Sequence, residues 1–209
     1  KMSEKIENLY KSLFLNYGES IKTAQYSSKE SQYLRFKYLS EIADLKKETI
    51  LDYGCGTASL YDFLLSINQK PKKYIGIDIV DEILDHCREK IPNALFYKPK
   101  EIGLLSYDYC FVSGVFNNIR KDNREFWKQI VKTIFKNCKK GIAFNMMSTY
   151  VDYYDDRLFY ESPEYAFSFV KNEITPFVSL RHNYLVKENS VPFEFIIYAY
   201  KSQSDTKII

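Results

Sequence analysis

The stretch Thr49–Leu60, TILDYGCGTASL, constrains the fold more than any other part of this chain. Apolar, β-prone Ile50 and Leu51 lead to an acid at Asp52. Gly54, Cys55, Gly56 and Thr57 then read as a turn, and Ala58 to Leu65 follow with helical spacing. A strand, a glycine turn and a helix start make a ligand-binding edge. Glycine lets the backbone come close to a bound molecule, and the free amides of a helix N-terminus face it. A second strand, Lys73 to Asp78, again ends in an acid. An acid at the tip of the neighbouring parallel strand suits a ribose, whose paired hydroxyls it accepts from.

Two cofactor classes use that layout: the nicotinamide or flavin dinucleotides, and S-adenosylmethionine. A dinucleotide turn reads G-x-G-x-x-G/A. Here Gly54 and Gly56 are followed by Ser59 at the third place, and Asp52 stands two residues before the first glycine. In that order LDYGCGTASL resembles the first motif of the class I S-adenosylmethionine-dependent methyltransferases, D-x-G-x-G-T. YIGIDIV resembles the second strand of that family. The pieces AQYSSKESQYLRF, SGVFNN, AFNMMS and LRHNY are similar to a narrower group, small bacterial methyltransferases of the type 11/12/25 kind with no assigned acceptor.

The resemblance covers nearly the whole chain and implies an α/β fold. It implies a Rossmann-like, seven-stranded, mostly parallel sheet, closed by an antiparallel C-terminal hairpin, with helices on both faces. Residues 1–209 form one domain: lid helices over about 1–46, a cofactor core over about 47–147, and an acceptor-side insertion with the hairpin over about 148–202. The implied cofactor is S-adenosyl-L-methionine and the product S-adenosyl-L-homocysteine. Carried over position by position, the cofactor contacts are Arg35, Asp52, Gly54, Cys55, Gly56, Asp78, Ile79, Glu101, Ser113 and Gly114. Arg35 is placed for the methionine carboxylate, because a guanidinium fork matches a carboxylate; Gln32 is a second candidate. Glu101 stands where the family keeps an acid near the adenine amino group, although Lys98-Pro99-Lys100 precede it here.

The rest of the pattern fits this frame. Ile6, Leu9, Tyr10, Leu13 and Phe14 give a helix over residues 4–14, and residues 28–44 give a second. Asp81 to Lys90 is a helix with an acidic first turn and a basic end, as the helix dipole favours. Strands are expected over 94–97, 107–112 and 141–147, with helices over 123–137 and 163–171. Two strands, 178–185 and 193–200, are expected to form the closing hairpin. A dinucleotide-binding oxidoreductase would continue with parallel units instead.

Three residues are candidates for chemistry on the acceptor. His182 is one of two histidines, and histidine is the natural residue type for a general base at neutral pH. Asn117 follows the fourth strand and has an amide to orient an acceptor. Tyr153 lies in a cluster of Tyr and Asp between Ser148 and Glu161, where the family inserts segments over the acceptor. The expected acceptor is a small molecule taking the methyl group on oxygen or nitrogen, such as a sugar or saccharide precursor. RNA or protein methylation and a non-catalytic cofactor-binding role are the alternatives.

Composition narrows the partners. A net charge of +3 with dispersed Lys and Arg does not point to nucleic acid, and the fourth motif is not the N-P-P-[YF] form, so DNA is not expected. No apolar run reaches the ~20 residues of a membrane span, and no signal-peptide pattern opens the chain. Four cysteines without C-x-x-C spacing are expected to be reduced thiols of a cytoplasmic protein rather than metal ligands. Lys1 ahead of Met2 reads as an added residue.

Overall fold

The computed structural model describes residues 2–206; Lys1, read above as an added residue, lies outside them. Strand β1 (Thr49–Tyr53) pairs in parallel with β2 (Lys73–Ile77) on one side and with β4 (Tyr107–Val112) on the other. Beyond β2 lies β3 (Leu95–Tyr97), and beyond β4 lies β5 (Cys138–Ser148), both parallel. Then β8 (Glu194–Tyr200) runs antiparallel to β5, and β7 (Val178–Arg181) antiparallel to β8. The order is β3-β2-β1-β4-β5-β8-β7. An eighth strand, β6 (Tyr160–Glu161), pairs in parallel with the last residues of β5 and was not expected from the sequence. It is two residues long, too short to show a period.

The order reverses at β1, because the chain leaves it toward β2 and later returns to its other side as β4. Such a reversal opens a crevice above the carboxyl ends of the strands. Helices α2 (Lys29–Ser40), α3 (Ser59–Ser66) and α4 (Asp81–Lys90) cover one face of the sheet with Leu39, Leu64 and Leu84. Helices α5 (Asn123–Asn137) and α6 (Pro163–Glu173) cover the other with Trp127, Ile134 and Phe169. Every residue of β8 is buried, since strands flank it and both faces are covered. The edge of the hairpin is β7 alone.

Helix ends follow local chemistry. Ser28 caps α2 by accepting from the Ser31 N–H at 3.0 Å, and Ser162 caps α6 from the Tyr165 N–H at 3.0 Å. Helix α2 stops at Ser40, earlier than the apolar pattern suggested, and Ser40 Oγ bonds back to the Lys37 carbonyl at 2.8 Å. Ile42 and Leu45, beyond its end, are fully buried all the same, so they continue the hydrophobic pattern without continuing the helix. Helix α1 (Met2–Tyr17) lies against α4 through a Lys11–Glu82 ion pair and a Phe14–His86 ring contact at 5.5 Å. No helix of the described residues is long and apolar enough to cross a membrane.

Candidate functional site

A cavity of about 700 Å³ opens over the tips of β1, β2 and β4, under α1 and the start of α2. The turn after β1 forms its floor. The N–H groups of Gly54 and Cys55 both donate to the Ile77 carbonyl, at 2.7 and 2.9 Å, which binds the turn to the tip of β2. Gly54 has φ +81°, and a Cβ there would stand 2.2 Å from Val115 Cγ2. Gly56, at φ +49°, donates its N–H to Asp78 Oδ2 at 3.0 Å, and a Cβ on it would meet no atom within 4 Å. The first glycine is required by packing; the second leaves open space on the cavity wall. Ala58 also takes a left-handed conformation, so α3 begins at Ser59, one residue later than the sequence pattern suggested.

Two acids mark this floor. Asp78 is held by two backbone N–H groups, Gly56 on Oδ2 and Val80 on Oδ1, each at 3.0 Å. Asp52 is buried and accepts from the Tyr74 hydroxyl. Burial pushes its pKa up to about 7, against the hydrogen bond from Tyr74 and with the nearby Asp78 adding to the rise. Burial also raises the pKa of Asp78. The floor therefore disfavours negative charge until a cation or hydrogen-bond donors arrive.

The tip of β4 makes the next wall. Ser113 Oγ and the Tyr26 hydroxyl are 3.1 Å apart, and burial pushes the Tyr26 pKa up to about 12. Gly114, at φ +75°, donates its N–H to Asn145 Oδ1 at 2.9 Å. Asn145 Nδ2 donates to Glu194 Oε2 at 3.1 Å, and Glu194 accepts from Arg35 Nε and Nη2 at 2.8 and 2.6 Å. Arg35 Nη1 donates to the carbonyl and hydroxyl of Ser31, at 3.1 and 2.6 Å. This buried chain ties α2, β8 and β5 to the turn after β4.

The far wall comes from α1 and the loop before α5. Asn118 Nδ2 donates to the Tyr10 hydroxyl at 3.1 Å. The Arg120 guanidinium lies 3.7 Å from the centroid of the Phe126 ring. Tyr53 and Pro99 complete this end, and with Phe126 they also line an adjoining groove of about 260 Å³ toward α5. Asn117 lines the cavity, and its Oδ1 is buried with no hydrogen-bond partner.

Of the residues predicted from the sequence, Arg35, Gln32, Asp52, Gly54, Cys55, Gly56, Asp78, Ile79, Ser113, Gly114 and Asn117 all line this cavity. Glu101 does not. Its carboxylate turns back to accept the Lys98 N–H at 2.9 Å and closes the 3₁₀ turn Pro99–Leu104. Tyr153 is 76% exposed, outside the cavity lining. His182 sits just past the end of β7, with Nε2 3.0 Å from the Pro192 carbonyl and its ring near Tyr150 and Phe195, and it too is outside the lining. Arg35 is inside, but its charge is already met by Glu194. The sequence reading missed Tyr26, Glu194 and Arg120. The first comes from the link between α1 and α2, the second from the start of a strand, and the third from a polar loop, and no local pattern distinguishes any of them.

No protein-family model matches the sequence, and no curated protein matches it. Solved structures match its fold. The magnesium protoporphyrin IX methyltransferase of Synechocystis PCC 6803, with bound S-adenosylmethionine, is 12% identical with a TM-score of 0.67, over 97% of this chain and 98% of that one. A SAM-dependent methyltransferase from Archaeoglobus fulgidus is 15% identical with a TM-score of 0.64, over 83% and 95%. The small RNA methyltransferase HEN1 is 17% identical with a TM-score of 0.60, over 82% of this chain and 25% of that one.

Proposed function

We propose, from the premise of a fold shared with S-adenosylmethionine-dependent methyltransferases, that this chain is such an enzyme and methylates a small molecule. The observation that carries the reading is the junction of the two strand tips: the Gly56 N–H on Asp78, open space over Gly56, and Asp52 buried beside them. This floor fits the cofactor. Each Asp78 oxygen accepts one backbone N–H and keeps a lone pair for a ribose hydroxyl. Asp52, only about half ionised at pH 7 because of its burial, gains by ionising fully beside a cationic ligand.

Bound S-adenosylmethionine supplies a methyl group already activated by a positive sulfur. The chain's own contribution is then placement. Asp78 orients the ribose, and the Gly54 turn, locked on Ile77, fixes the floor. Tyr26, Ser113 and Gly114 wall the cavity at the tip of β4. Holding two reactants in line is worth up to about 7–11 kcal/mol of barrier. Neither His182 nor Tyr153 reaches the cavity lining, so this reading gives neither the part of general base. Asn117 takes the acceptor-orienting part, because its unpartnered Oδ1 is suited to an O–H or N–H donor.

A small acceptor is favoured over a nucleic acid by the electrostatics of the cavity. Among the described residues, two basic side chains line it, and Glu194 neutralises one of them. A phosphate backbone calls for a run of cations. The test is calorimetric titration with S-adenosylmethionine, S-adenosylhomocysteine, NAD and NADP. Binding of the sulfur ligands alone is the expected result, with a large loss in Asp78→Ala. Preference for a dinucleotide, or equal affinity in Asp78→Ala, would overturn the reading.

A further inference from the structure

Among the described residues, two cations line the cavity, and their surroundings differ. Arg35 is spoken for. Its Nε and one Nη2 hydrogen serve Glu194, and both Nη1 hydrogens serve Ser31, which leaves one of five guanidinium N–H groups. Arg120 has no carboxylate partner, and its Nε is buried without a hydrogen bond. Its backbone N–H is anchored on Asn123 Oδ1 at 2.8 Å, and its guanidinium rests on the Phe126 ring. The acids of the cavity are committed elsewhere: Glu194 to Arg35, Asp52 to Tyr74, and Asp78 to two backbone amides. Burial lowers the Arg120 pKa, yet a guanidinium remains charged at any working pH. A half-buried charge without a counter-ion is unfavourable unless a ligand supplies one.

We infer that Arg120, and not Arg35, is the anion-binding residue of this cavity, taking a carboxylate or phosphate of a bound ligand through its Nη groups. Phe126 fixes the plane of the fork, and a planar fork is the geometry that pairs such an anion bidentately. The inference rests on the methyltransferase reading and deepens it. Two sources share the chemistry: the α-carboxylate of the cofactor, and an anionic group on the methyl acceptor.

The experiment titrates wild type, Arg120→Gln and Arg120→Lys. The probes are S-adenosylhomocysteine, 5′-methylthioadenosine (which lacks the amino-acid portion), and inorganic phosphate added to protein saturated with S-adenosylhomocysteine. If the cofactor carboxylate is the anion, Arg120→Gln weakens S-adenosylhomocysteine by roughly 10- to 100-fold and leaves methylthioadenosine unchanged. If the acceptor supplies it, S-adenosylhomocysteine is unaffected, phosphate binding is lost in Arg120→Gln, and Arg120→Lys recovers part of it. Equal weakening of both adenosine ligands would overturn the inference and make Arg120 a stacking surface for adenosine. No change with any probe would overturn it too. Wild type that binds no S-adenosylhomocysteine would sink the methyltransferase reading instead, and phosphate titration of the ligand-free protein would still test Arg120. Matching thermal melts of the three proteins exclude misfolding as the cause.

Discussion

Glu194→Gln is the sharpest test of how the cavity wall is held. Glu194 is 1% exposed and Arg35 7%. Glu194 Oε1 accepts from Arg35 Nε and Nη2, and Oε2 from Arg35 Nε and Asn145 Nδ2. Glutamine replaces one of these acceptors with a donor. With its NH₂ toward Asn145 it meets Asn145 Nδ2 at about the native 3.1 Å, donor against donor. Turning the Asn145 amide over relieves that contact but places an NH₂ against the Gly114 N–H, 2.9 Å from the present oxygen. With its NH₂ toward Arg35 it meets Nη2 instead. Every arrangement breaks one bond of the chain and leaves Arg35 without a counter-ion. Removing one partner of a buried pair costs about 3–5 kcal/mol, and the acceptor that remains puts this variant near 3 kcal/mol. For a domain of this size that lowers Tm by about 6–12 °C. Urea unfolding measures it. The double variant Arg35→Met with Glu194→Leu is expected to recover most of the loss, since apolar replacement of a buried pair is often neutral. A Glu194→Gln protein within about 0.5 kcal/mol of wild type would refute the reasoning.

Three further outcomes follow from the same geometry. Gly54→Ala combines a Cβ 2.2 Å from Val115 Cγ2 with a left-handed φ, so about 2–4 kcal/mol of stability is lost; urea midpoints unchanged from wild type would contradict it. Asp52 has a folded pKa of about 7 against an ordinary 3.8, so the fold holds its proton more tightly than the unfolded chain does. That stabilisation is complete below about pH 4 and is lost as pH rises through about 7, roughly 4 kcal/mol in all. Asp52→Asn does not titrate and keeps an acceptor for Tyr74, so its stability relative to ligand-free wild type rises between pH 5 and pH 8; a constant difference argues against the buried-acid account. His182→Ala and Tyr153→Phe lie off the cavity and are expected to leave S-adenosylhomocysteine affinity unchanged, and a large loss in either would place it in the site after all.

The legible part of this protein is the part in which one short segment carries both the fold and the site. Thr49–Leu60 contains strand, turn and acid in sequence, so the conformations of Gly54 and Gly56 and the position of Asp52 follow from local chemistry. The partner of that turn, Asp78, is legible because it ends the next strand, and a parallel βαβ unit brings consecutive strand tips together. The antiparallel closure was legible from two late β-prone segments. Glu101 stands outside the cavity lining because an acid one loop from a strand tip has a local alternative. Three residues from Lys98 it caps its own turn, and that bond needs no ligand. His182 lies outside the cavity lining: β7 ends at Arg181, and strand alternation no longer sets the direction of a side chain one residue later.

Tyr26, Glu194 and Arg120 were illegible for a different reason. Each acquires its role from a contact across the fold: Tyr26 with Ser113, Glu194 with Arg35, Arg120 with Phe126 beside Tyr10 and Tyr53. Arg35 shows how a distant contact alters the chemistry of a side chain. Read alone, a buried Arg before the first strand is a carboxylate ligand, and the chemistry of the fork supports it. With Glu194 brought to 2.6 Å from 159 residues away, the same fork is satisfied internally. A second carboxylate would then compete with Glu194 rather than answer an unmet charge. The cavity's electrostatic demand moves to the one cation lining it, among the described residues, that the fold leaves unpaired. That transfer from Arg35 to Arg120 follows from counting hydrogen bonds in the folded chain, and motif order alone cannot supply it.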